Sequence, residues 1–203
     1  MPTGGPAALF AALALLLQMA LTGCGATAQR AGEGGGAGGT GRSPAADSFR
    51  STRTYHAVAV PVRLRIPAAH VDTALQRLGR AKDGTIKVPS RPGTAGWYAE
   101  GPRPGQPGPA VILGHVDSTS GAAVFFHLEE LRPGDAVYVD RSDGSTARFH
   151  VTGLSRVAKS RFPTDVVYSP TLEASLRLVT CGGTIDPRTR HYRDNVIAFA
   201  APS

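Results

Sequence analysis

Leu176-Arg177-Leu178-Val179-Thr180-Cys181-Gly182-Gly183 is a β-favouring run that ends on a thiol and is followed by two glycines. Such a run reads as a strand, and the small residues behind it leave room for a carbonyl group to approach the sulfur. A cysteine in this position is also a common core residue. The chain has only one other cysteine, Cys24, inside an apolar N-terminal region. If the protein is exported, a thiol without a partner points to a reactive or intermolecular role rather than to a disulfide.

Working outward, similar short runs recur between Gly, Pro and Asp turns. Residues 62–66 alternate with period two, and further strand candidates are 84–88, 110–115, 136–140, 147–153 and 195–200. The pair 136–140 and 147–153 flanks Arg141-Ser142-Asp143-Gly144-Ser145, a hairpin connection. Helical patterns are few and short, at 72–78, 124–131 and 171–176. Many short strands at turn-rich spacing imply an all-β barrel or sandwich rather than a βαβ fold.

A thiol attacks as thiolate and needs a base or a positive neighbour to become one at neutral pH. The chain has six histidines, and His115 stands apart because it closes the apolar run Ala110-Val111-Ile112-Leu113-Gly114. A strand end fixes an acid/base group rigidly. His191 falls in a polar loop and reads as exposed. If the thiolate attacks an amide or ester, the oxyanion needs a donor, and a guanidinium fork suits it. Arg188, Arg190 and Arg193 all follow Cys181, and spacing alone leaves Arg190 and Arg193 as alternatives. The histidines show no metal-binding spacing, and the carboxylates are scattered, so neither a zinc nor a calcium site is expected.

The Cys segment, with His191-Tyr192-Arg193-Asp194-Asn195-Val196 downstream and Gly114-His115-Val116-Asp117 upstream, resembles the catalytic motifs of the sortases. Pro67, Val88-Pro89, Gly96-Trp97-Tyr98 and Leu131-Arg132-Pro133-Gly134-Asp135 extend the likeness over about residues 62–200. The Gly-His-Val-Asp and Thr-Cys-Gly-Gly variants look most like class F sortases of high-GC Gram-positive bacteria. The resemblance implies an eight-stranded β-barrel with a few short helices. It also implies catalysis by His115, Cys181 and Arg193, with Thr180 shaping the substrate groove and no cofactor. The implied activity is a cysteine transpeptidase that cleaves an LPXTG-like sorting signal of surface proteins at Thr-Gly. The acyl group then passes through a thioacyl-enzyme to a cell-wall amine or to water. Two alternatives are an L,D-transpeptidase-like envelope enzyme, whose Ser-His-Gly-Cys signature is absent here, and a non-catalytic, lipid-anchored β-barrel binding domain.

The N-terminus supplies an address. Residues 7–21 are almost wholly apolar, the length of a signal-peptide core and short for a membrane span. Leu21-Thr22-Gly23-Cys24 then resembles a lipobox, in which Cys24 becomes the lipidated first residue; this departs from the transmembrane anchor more usual among sortases. Between Gly32 and Gly41 seven of ten positions are Gly, and no large apolar residue occurs from Thr27 to Ser48. Such a stretch cannot bury enough surface to offset its ordering entropy. The expected organisation is therefore a signal or anchor over 1–24, a linker over 25–54 and a catalytic domain over 55–203. The net charge of +7 comes from dispersed basic residues with no interleaved aromatics. That excludes a nucleic-acid platform and suits an anionic envelope surface. A monomer is expected, exported and held on the outer face of the cytoplasmic membrane.

Overall fold

The computed structural model describes residues 57–203, so the expected signal, Cys24 and the linker lie outside the described residues. Among the described residues ten strands run in chain order: β1 (Pro61–Ile66), β2 (Val71–Leu78), β3 (Ala95–Tyr98), β4 (Gly108–Leu113), β5 (Asp117–Ser118), β6 (Gly121–Ala122), β7 (Ala136–Arg141), β8 (Thr146–Ala158), β9 (Ala174–Ile185) and β10 (Tyr192–Pro202). Eight of them close a barrel in the order β1-β2-β3-β4-β9-β10-β8-β7, while β5 and β6 pair as a separate hairpin. The expected eight-stranded all-β barrel is the observed fold.

Closure follows from period-two patterning. Leu64 and Ile66 of β1, Ile112 of β4, Val137 and Val139 of β7, and Leu176 and Leu178 of β9 all face inward and are fully buried. Each such side chain contributes roughly 1.5–3 kcal/mol by leaving water. Phe125 and Leu128, from the segment before β7, are fully buried in the same core. Most ladders are antiparallel, but β2–β3 and β4–β9 are parallel.

Three helical expectations fail. Residues 72–78 form most of β2, which pairs with β1 and β3. The i, i+3 spacing of Leu75 and Leu78 suggested a helix, but edge-to-edge pairing on both sides overrides local propensity. Residues 124–131 hold only the 3₁₀ turn Leu128–Glu130, and 171–176 lead directly into β9. The one α-helix among the described residues, α1 (Thr164–Tyr168), was not expected. It buries Val167 against the outer face of the barrel, where Val111, Val179, Ile197 and Tyr98 form a second core. The candidate strand 84–88 forms only an isolated bridge, Arg80 to Ile86.

Candidate active site

The parallel pairing of β4 with β9 sets Leu113 against Val179. The Gly114 amide then donates to the Val179 carbonyl at 3.1 Å, so the pairing continues past the strand end. Carried two residues on, the register puts His115 level with Cys181. By alternation both lie on the outer face, the face of Val111 and Val179. A groove of about 500 Å³ receives both, together with Asp117, Lys159, Arg190 and Tyr192.

His115 is held from two sides. Its Nε2 lies 2.8 Å from the Pro89 carbonyl, and its own carbonyl accepts from the Phe125 amide at 2.9 Å. Gly114 is required here for space, because a Cβ would come within 2.5 Å of the Phe125 ring and 2.8 Å of Val124. Cys181 is half-buried, reduced, and paired across the ladder with Asn195 of β10. The two following glycines have separate reasons. A Cβ on Gly182 would press on Val196 at 2.7 Å. Gly183 has φ +74°, and a Cβ there would collide with the Asp194 carboxylate.

The β9–β10 turn is organised by Asp186. Its amide donates to the His191 carbonyl at 2.8 Å, and its carbonyl accepts from the Arg190 amide at 2.7 Å. Its carboxylate takes the Arg188 amide at 2.9 Å, and this backbone donor chiefly holds its pKa below the ordinary aspartate value. Arg190 sits in the left-handed region at φ 60°, uncommon for a residue with a Cβ. Its residue lines the groove beside Cys181 and His115. Arg193 lines an adjoining hollow instead, with its guanidinium 3.5 Å from the Asp186 carboxylate and largely exposed. A register shift between Tyr192 and Asp194 separates the two arginines. Thr180 also stands apart from the groove. It is buried with the inward-facing Leu176 and Leu178, and its hydroxyl has no partner among the described residues.

Sequence reading passed over Tyr192 and Asp117 as working residues. The Tyr192 hydroxyl donates to the Asp117 carboxylate, joining the start of β10 to the segment just after His115. That hydrogen bond first, then burial and the negative charges of Asp117 and Cys181, raise the tyrosine pKa. Asp117 was visible in the motif Gly-His-Val-Asp, but nothing local gave it a partner. Among the described residues no group of three His, Cys, Asp or Glu side chains could hold a metal. No described helix is long and apolar enough to cross a membrane.

A closed eight-stranded barrel that brings a cysteine on one strand into the same groove as a histidine just past the end of its parallel neighbour has the form of a sortase-type transpeptidase. The family model for the sortase domain matches residues 64–203, and the chain belongs to the sortase family. Solved structures of several sortase classes share the fold. Sortase C-1 from Actinomyces oris is 23% identical with a TM-score of 0.55, over 70% of this chain and 74% of that one. The lid mutant of sortase A from Corynebacterium diphtheriae is 19% identical with a TM-score of 0.56, over 79% and 80%. The sortase D5 transpeptidase from Clostridium perfringens is 20% identical with a TM-score of 0.52, over 71% and 79%. No curated protein sequence matches the chain.

Proposed function

We propose that this chain is a class F-like sortase that cleaves an LPXTG-like signal between Thr and Gly and passes the acyl group to a cell-wall amine or to water. The observation that carries this reading is the single groove holding Cys181 and His115 side by side, with an arginine on its wall. In the reading, Cys181 attacks the scissile carbonyl as a thiolate paired with the His115 imidazolium. The tetrahedral oxyanion is stabilised by a guanidinium, and His115 protonates the departing amine as the thioester forms. An incoming amine or water then attacks the thioester, gives a proton to His115 and restores the thiolate. The resemblance assigns the guanidinium to Arg193, and we keep that assignment; the groove lining makes Arg190 the alternative. Thr180 acts on the groove only through the strand that carries Cys181.

Surface proteins bearing the signal are the proposed donors. The proposed address is extracytoplasmic, with a monomer tethered by the N-terminal segment, through lipid on Cys24 or through residues 7–21 as an anchor. The test incubates the full chain with quenched LPXTG-type pentapeptides and examines the protein by mass spectrometry. An acyl adduct on Cys181, absent from Cys181→Ala, is the expected result. Turnover that survives in Cys181→Ala removes Cys181 as the nucleophile. A chain that forms no adduct with any peptide of the set supports a non-catalytic binding barrel instead.

A further inference from the structure

The groove carries four basic groups, His115, Lys159, Arg190 and His191, and one carboxylate, Asp117. Tyr192 donates its hydroxyl to this carboxylate. A hydroxyl needs only an acceptor, and an asparagine oxygen would serve as well. The hydrogen bond therefore accounts for the position of Asp117 but not for its charge. Among the described residues no lysine or arginine forms an ion pair with it. The carboxylate is half-buried, stands two residues past His115, and lines the groove that holds Cys181.

A charge in that place has a use in the second half of the reaction. A primary amine reaches the groove at neutral pH chiefly as an ammonium ion, and the Lys159 and Arg190 cations on the groove wall repel it. Only the Asp117 carboxylate offers it a counter-charge and an acceptor beside the thioester. We propose that Asp117, held in place by Tyr192, is the docking point for the acceptor amine, and that it selects cationic primary amines over water; this rests on the transpeptidase reading above. The docked ammonium releases one proton to solvent. As free amine it attacks the thioester carbon. The C–N bond forms and the C–S bond breaks, the second proton passes to neutral His115, and the Cys181 thiolate is restored. No oxidant or co-reactant is needed.

The test compares two nucleophiles on the same acyl-enzyme formed from an LPXTG-type peptide. Glycinamide is substantially protonated near neutral pH, whereas hydroxylamine is uncharged there. In Asp117→Asn the ratio of glycinamide capture to hydroxylamine capture should fall at least about tenfold, through a higher KM for glycinamide, as expected when a charged hydrogen-bond partner becomes neutral. In Tyr192→Phe, which keeps the carboxylate but frees it, the ratio should fall less. An unchanged ratio in Asp117→Asn, with acyl-enzyme still formed, overturns the dock alone. A wild-type chain that forms no acyl-enzyme overturns the underlying reading and the dock with it.

Discussion

The Nε2 of His115 lies 2.8 Å from the carbonyl oxygen of Pro89. A carbonyl can only accept, so this nitrogen carries the hydrogen, and Nδ1 is left to exchange a proton with the groove. Nitrogen-15 NMR of the neutral ring should therefore find the Nε2–H tautomer. The Nδ1–H tautomer would remove Pro89 as the group that orients the base. Replacing His115 by Ala should lower kcat by about 10²–10⁴-fold, the usual worth of a positioned acid/base group.

Arg190 and Arg193 should separate cleanly. Arg193→Ala is expected to lower kcat by about 10²-fold or more, the cost of losing one oxyanion donor. Arg193→Lys should be nearly as damaging, because a point charge does not reproduce the guanidinium fork. Arg190→Ala should be milder. The reverse order in steady-state kinetics would hand the oxyanion to Arg190.

Gly114 has no room for a methyl group beside Phe125 and Val124. Gly114→Ala should destabilise the barrel by about 1–3 kcal/mol through overpacking. It should also slow alkylation of Cys181, since the displaced turn carries His115 away from the thiol. A denaturant melt and a thiol-labelling rate measure the two effects separately. A destabilised variant with unchanged labelling would show that Gly114 serves packing only.

Asp140 pairs with Arg65 through two hydrogen bonds of 2.8 and 3.0 Å. The Arg65 bond is the main reason its pKa lies below the ordinary aspartate value. A depressed folded-state pKa contributes stability that is present above the unfolded value and is lost as pH falls through the folded one. Asp140→Asn should thus melt earlier than wild type at neutral pH, and the gap should close in acid, below the ordinary aspartate pKa. A gap independent of pH would mean that the charge contributes nothing.

If Cys24 is lipidated, mass spectrometry of the membrane fraction should find a diacylglyceryl group on it and no residue before it. Cys24→Ala should then leave a precursor that retains residues 7–21. A mature wild-type protein with residues 1–20 still attached would instead make that segment the anchor.

The barrel was legible where burial imposes a local pattern. β1, β4, β7, β9 and β10 each carry the alternation or the β-branched run that one-sided or complete burial demands. β2 was misread because Leu75 and Leu78 fit a helix as well as a strand, and only its two neighbours decide the matter. β3 is four residues long and includes a glycine, too little for a periodic signal. The Cys and His positions were legible because each closes an apolar run. Arg190 was in view as one of two candidate arginines after Cys181, but Lys159, just past the end of β8, and the Tyr192–Asp117 hydrogen bond depend on pairings between strands distant in sequence that no local pattern shows.

The parallel pairing of β4 with β9 joins strands more than sixty residues apart in the chain. Parallel partners cannot meet through a tight turn, so this ladder is a long loop closure, the kind of contact that slows folding. Until it forms, His115 and Cys181 are strangers, and the sulfur is an ordinary thiol of a nascent chain. On the proposed mechanism, completion of the barrel is thus also the moment at which the thiol gains its partner. The pace of folding sets when that pairing appears, and a partly folded molecule carries only an unassisted thiol.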